Sequence, residues 1–185
     1  IMDLVNGYHS VIESNLRFYF NPVTGLIEPV GREFSAHPSS NAVNTREEVL
    51  SNHFLLNVFK DPLFLLKYGQ ALEKVSSQKY LDEFFEEVDS ELQYQLSIVY
   101  RDHPYHYFSK SYLYERQQLI KKKLNPDSQV LVAYYKVLGK TKVQLILNNT
   151  HTDPIEITRI IHNQSELINP KKENILYPST LKKSD

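Results

Sequence analysis

The sequence has no cysteine and no tryptophan, a single methionine and only five glycines in 185 residues. Without cysteine there can be no disulfide scaffold, thiolate zinc site, iron–sulfur cluster or cysteine nucleophile. The shortage of glycine goes with the absence of a Gly-rich phosphate loop. H-E-x-x-H, G-x-S-x-G and Walker sequences are also missing. Neither sign of charge is in excess: 22 acidic residues face 21 basic ones, for a formal net charge of −1. A dedicated nucleic-acid binder carries a clear basic surplus, so no nucleic-acid partner is expected. No apolar run approaches the roughly 18 residues of a membrane span, so none is expected. What the chain does have is 13 tyrosines, 9 phenylalanines and 41% apolar residues, enough to bury a core. The length suits one domain, or one domain with a small appendage. A cysteine-free composition fits bacterial cytoplasmic and cell-surface proteins alike.

The chain opens Ile1-Met2-Asp3-Leu4-Val5, without an initiator at residue 1, a signal peptide or a tag, and enters patterned sequence at once. The expectation is a segment of a larger protein. Asn6-Gly7 signals a turn. Leu16–Phe20 is aromatic-rich and suits a strand. Asn21-Pro22-Val23-Thr24-Gly25 suits a turn, with Pro fixing φ and Gly supplying φ > 0. Leu26–Val30 suits a second strand, with Pro29 placing it at an edge. Residues 15–31 therefore read as a β-hairpin.

Residues 35–44 read as a loop. Thr45-Arg46-Glu47-Glu48 has the form of a capping box, with Leu50, Phe54, Leu55 and Val58 following at helical spacing. Asp61-Pro62 reads as a helix stop and the start of another helix running to about Val75. Ser76-Ser77 is expected to cap a long amphipathic helix through Leu81, Phe84, Phe85, Val88, Leu92, Leu96 and Val99, stopped by His103-Pro104. A fourth helix is expected over 109–124. Residues 129–138, 141–148 and 154–161 then alternate as strands. The predicted class is α+β: a hairpin and helices (46–124) in residues 1–126, a small antiparallel β segment over 127–165, and a polar surface tail over 166–185.

Residues 79–92 carry one lysine against six acidic residues, and 110–123 carry five basic residues against one glutamate. Opposed solvated faces that favour an antiparallel helix pair explain this, as does an acidic patch for a basic partner. The seven histidines do not fall at metal-ligand spacing. Asn148 and Asn163 head Asn-x-Ser/Thr triplets, which carry meaning only in a eukaryotic secreted protein.

The candidate site lies around the hairpin. If 21–25 is the turn, Phe20 faces Leu26, Asn15 faces Gly31, and Asn15 and Glu33 meet below the ribbon with Glu13 and His9 nearby. An amide and a carboxylate on one rigid hairpin suit a hard cation such as Mg²⁺. Asn15 reads equally as a hairpin cap, and His9 as a capping or buried histidine. In kinases an Asn of the catalytic loop and an Asp after the next strand pair hold metal in this way.

The run Asn15, Arg17, Tyr19, Asn21, Pro22, Gly25 and Pro29 resembles the C-terminal lobe of the CotH-like atypical kinases, a family named after a spore-coat protein. Tyr80-Leu81 opening a long helix and Arg116 in the next are similar to the family's helical part. The likeness covers about residues 3–125 and is most specific in 3–33. It implies a protein-kinase-like fold using ATP and Mg²⁺, with Asn15 as a metal ligand, Glu33 near the place of the family's metal-binding Asp, and His9 where several members carry a catalytic-loop Asp. It also implies that the nucleotide-gripping lobe lies outside this chain, so that this segment alone is inactive. The other expectation is a non-catalytic module that uses a degenerate kinase-like scaffold to bind a protein.

Overall fold

Helix-forming and strand-forming sequence is segregated along the chain, and the computed structural model follows that segregation. It describes residues 1–31, 53–162, 165–168 and 174–179. The chain divides into two compact units, Ile1–Asn57 with Gln70–Leu124, and Val58–Gly69 with Asn125–Asp185. The class is α+β, with helices and small antiparallel sheets. The loop expected over 35–44, the Thr45–Glu48 capping box and Leu50 lie outside the described residues.

The first unit starts with α1 (Met2–Val5) and a 3₁₀ turn (Tyr8–Val11). Between them Asn6 takes left-handed backbone angles, φ 57°, which Asn tolerates better than most residues. Strands β1 (Arg17–Asn21) and β2 (Leu26–Val30) follow. Helix α2 (His53–Lys60) ends at Asp61, whose carboxylate accepts the Phe64 N–H at 2.7 Å and so caps α3 (Pro62–Val75). Ser76 and Ser77 were expected to cap the next helix. Their hydroxyls instead donate back to the carbonyls of Glu73 and Lys74, closing the end of α3. Helix α4 (Gln78–Asp102) has Ser77 at its N-cap with no side-chain cap bond, and it stops at His103.

Helix α5 (Ser111–Leu124) runs antiparallel to the first half of α4. Lys110 lies 3.5 Å from Asp89 and 4.6 Å above the Phe85 ring, and the Tyr114 hydroxyl donates to Asp82 at 2.7 Å. The opposed charges of the two helices thus meet at one ion pair among the described residues. Both partners are partly exposed, so it contributes about 0–1 kcal/mol. Leu81 and Phe85 are buried, and burial fades along the later apolar positions of α4. At 25 residues α4 is about 37 Å long, well beyond the reach of the 14-residue α5.

The interior here is held by polar side chains as well as by Leu4, Leu72, Val75 and Ile120. Arg116 is 1% exposed, and its Nε and Nη2 donate to the Asp3 carbonyl at 3.2 and 2.7 Å. Gln117 Nε2 donates to the carbonyls of Val75 and Ser77 at 2.8 and 2.7 Å. Adjacent residues of α5 thus clamp α1 and the α3–α4 junction. Tyr112 adds a hydroxyl bond to the Val5 carbonyl.

In the second unit β3 (Leu131–Val137) and β4 (Val143–Asn149) form a seven-pair ribbon. β5 (Ile155–Glu156) pairs with β8 (Ile175–Leu176), and β6 (Ile160–His162) with β7 (Ser165–Ile168). Part of the stretch expected as a surface tail over 166–185 is therefore paired strand, and Pro178 is buried. Phe59 packs edge-on against Phe64 and Tyr68 beside the fully buried Leu65.

Candidate functional site

The turn of the β1–β2 hairpin is built by Asn21. Its Oδ1 accepts from the N–H groups of Val23 and Thr24 at 3.0 and 3.3 Å, and its carbonyl accepts from Gly25 at 2.8 Å. Gly25 supplies the required positive φ of 68°. Because Asn21 builds the turn and still pairs with Leu26, the loop is Pro22–Gly25, one residue shorter than expected.

The register follows from that turn. Phe20 faces Ile27, Phe18 faces Pro29 and Arg17 faces Val30, not the expected Phe20–Leu26 and Asn15–Gly31 alignment. A one-residue slip exchanges the faces of one strand relative to the other. Glu33 itself lies outside the described residues.

His9 and Asn15 are brought together. Asn15 Nδ2 donates to the His9 carbonyl at 2.9 Å across a turn closed by the N–H groups of Asn15 and Leu16 on the Ile12 carbonyl. Asn15 acts here as the cap of the hairpin's base. The His9 side chain is exposed on the 3₁₀ turn, and Glu13 is exposed nearby in the chain. Arg17 Nη1 donates to the carbonyls of Ser14 and Leu16. Arg116 stabilises this stretch from behind through Asp3, six residues before His9.

The amide oxygen of Asn15 is of the right type for a hard cation. Magnesium sites, however, add one or two carboxylates and substrate phosphates to such an oxygen. Among the described residues no group of three or more His, Asp or Glu side chains could hold a metal ion. The donor set that the described residues offer beside Asn15 does not by itself fit Mg²⁺, and no chemical step is routed through a metal or ATP here.

The ribbon carries a different feature. Directly opposed residues share a face, and successive pairs alternate. One face holds Arg17, Tyr19, Asn21, Leu26, Glu28 and Val30, with Asn21 Nδ2 donating to Glu28 Oε1 at 2.9 Å. The other holds only Phe18, Phe20, Ile27 and Pro29. Phe18, Phe20 and Ile27 are 46%, 61% and 69% exposed, and Pro29 is exposed as well. This face was legible in the Phe-x-Phe and Ile-x-Pro spacing, but only once the register was fixed.

The second unit has a shallow cleft of about 340 Å³ lined by Leu147, Asn148, Ile175 and Tyr177 among others. Below it Asn149 is buried with both amide atoms engaged. Its Nδ2 donates to the carbonyls of Asp153 and Leu176, and its Oδ1 accepts from the His151 N–H. His151 Nδ1 accepts the Asp153 N–H at 3.1 Å, with an Asp153 carboxylate oxygen 3.8 Å away. These contacts close the 149–153 loop and anchor β8. They are structural.

Compared with models of known protein families, with curated proteins and with solved structures, the chain matches none. No helix among the described residues is long and apolar enough to cross a membrane.

Proposed function

We propose that this chain is a non-catalytic protein-binding module that presents the β1–β2 ribbon to its partner. The observation that carries the reading is the wholly apolar face of Phe18, Phe20, Ile27 and Pro29, exposed on a two-stranded ribbon. Two-stranded ribbons are marginal on their own and gain by covering an apolar face. Aromatic anchors of this kind dominate the energetics of protein interfaces. The opposite face, with Arg17, Tyr19 and Glu28, supplies a polar rim. The test is a double variant, Phe20→Ser with Ile27→Ser. Both side chains are exposed, so the fold is expected to persist, as circular dichroism would verify. A partner retained by the native chain, then reconstituted from purified components, should lose at least tenfold in affinity with the variant. Equal binding by both chains rejects the reading.

A second reading, the C-terminal lobe of an atypical kinase in a longer protein, is favoured by one contact. Asn15 and His9, the residues to which the resemblance gives metal and proton-transfer roles, are held in one turn. In that reading Glu33 supplies the carboxylate, and Mg²⁺ with ATP binds only when the nucleotide-gripping lobe is present. Calorimetric titration of Mg²⁺–ATP into the longer protein tests it. Absence of heat, or heat unchanged by Glu33→Ala, disposes of it.

A further inference from the structure

The β3–β4 ribbon differs from the first ribbon in its charge. Between Asp127 and Asp153 the sequence has no acidic residue, and it places Lys136, Lys140 and Lys142 at the distal end of the ribbon, in a chain of net charge −1. All three lysines are exposed. The register assigns the faces. Tyr135 faces Leu145 and Val137 faces Val143 on one side, while Tyr134 with Ile146 and Lys136 with Gln144 lie on the other. Leu138 and Lys142 continue that second face and close the turn through the Leu138 N–H to the Lys142 carbonyl at 2.9 Å. Tyr135, Val137, Val143 and Leu145 are 45% to 73% exposed, and Leu138 is 57% exposed.

We propose that the distal half of this ribbon docks on the surface of an anionic lipid bilayer. The Tyr135–Leu145 and Val137–Val143 face sinks into the headgroup and acyl boundary, and the lysines engage lipid phosphates. An amphipathic element that lies in the interface buries its apolar face by about 5–10 Å, close to the height of these side chains. The flexible stems of Lys136 and Lys142 let their ammonium groups reach around the ribbon to the headgroups. Tyrosine at position 135 suits the boundary itself, with an apolar ring and a polar tip. The ribbon lies on the surface and does not span it, because its two open edges could not be left unpaired in hydrocarbon.

Charge complementarity selects this occupant over two others. Lysine is depleted in the cores of protein–protein interfaces, yet here Lys136 and Lys142 stand directly behind the apolar face and Lys140 lies in the turn at its end. Single-stranded nucleic acid is held by successive bases stacked on a common aromatic platform. Tyr134 and Tyr135 are sequence neighbours and so lie on opposite faces, and the remaining distal apolar residues are aliphatic.

The chain lacks tryptophan, so V137W installs a single fluorescent reporter on the apolar face. Its emission should shift to the blue with vesicles of equimolar phosphatidylcholine and phosphatidylserine, and stay unchanged with phosphatidylcholine alone. Each lysine near an anionic leaflet is worth about fivefold in partitioning, so K136Q/K140Q/K142Q should weaken cosedimentation of the otherwise native chain about a hundredfold. Val143→Ser with Leu145→Ser should weaken it at least tenfold while leaving far-ultraviolet dichroism unchanged. The proposal is overturned by absence of a shift with the anionic vesicles, by triple-glutamine or serine variants that sediment like the native chain, or by poly-uridylate binding tighter than vesicle binding with the same lysine dependence.

Discussion

The helical face and the two ribbons keep their side chains in opposite ways. Helix α5 buries Arg116 and Gln117 next to Ile120, while the ribbons leave Phe20, Ile27, Val137 and Val143 in solvent. In the helical unit two buried polar side chains donate to main-chain carbonyls. Arg116 closes on Asp3, and Gln117 on Val75 and Ser77. In the ribbons the order comes from turn chemistry and ladder pairing, and several apolar side chains stay exposed. Buried polar contacts and exposed apolar side chains thus belong to different parts of the chain.

The largest effect that would break this contrast lies at Arg116. Arg116→Ala removes a buried guanidinium, leaves the Asp3 carbonyl without two donors and opens a cavity behind α1. A loss of about 3–5 kcal/mol is expected, read as a lower denaturant midpoint with an unchanged slope. A loss below about 1 kcal/mol would mean that the clamp does not hold the unit.

A smaller and more local effect is expected at Gly25. A Cβ there would meet nothing within 4 Å, so the cost of Gly25→Ala is purely that of the positive φ, about 1–2 kcal/mol. Amide exchange should quicken across Arg17–Val30 and stay unchanged in α4 and α5. Equal change in both places would show that ribbon and helices open together.

The smallest effect concerns Tyr114. Its hydrogen bond to Asp82, with some burial, raises its hydroxyl pKa above the ordinary value, and burial raises that of Tyr112 against the opposing charge of Arg116. A pKa raised on folding gives stability that is fully present below the unfolded value near 10 and lost as pH rises through the folded one. Tyr114→Phe should cost at most about 1 kcal/mol at neutral pH and flatten part of the alkaline loss. An alkaline profile identical to that of the native chain would separate the bond from stability.

Much of this was legible without coordinates because it is local. Asp61-Pro62 divides two helices by capping and by the missing proline N–H. Asn-Pro-x-x-Gly makes a turn because the side chain of Asn21 and the backbone freedom of Gly25 suffice. The three- and four-residue spacing from Leu81 to Leu96 makes a helix whatever it packs on. The candidate site was less legible. His9 and Asn15 do meet, but through a main-chain carbonyl, and Glu33 lies outside the described residues.

By itself, then, the sequence determined the elements: an α+β chain, a hairpin over 15–31, the order of helices and strands, and the exclusion of thiol chemistry. Only the tertiary structure decided which residues share a face of each ribbon, that Arg116 is an interior clamp instead of one more surface cation, and that Ile175–Leu176 returns to pair with Ile155–Glu156. The division has a physical reason. Helix periodicity, capping and turn conformation are settled by atoms a few residues apart. Register, burial of a charge and the partner of a short strand depend on contacts across tens of residues, whose closure the local pattern does not encode.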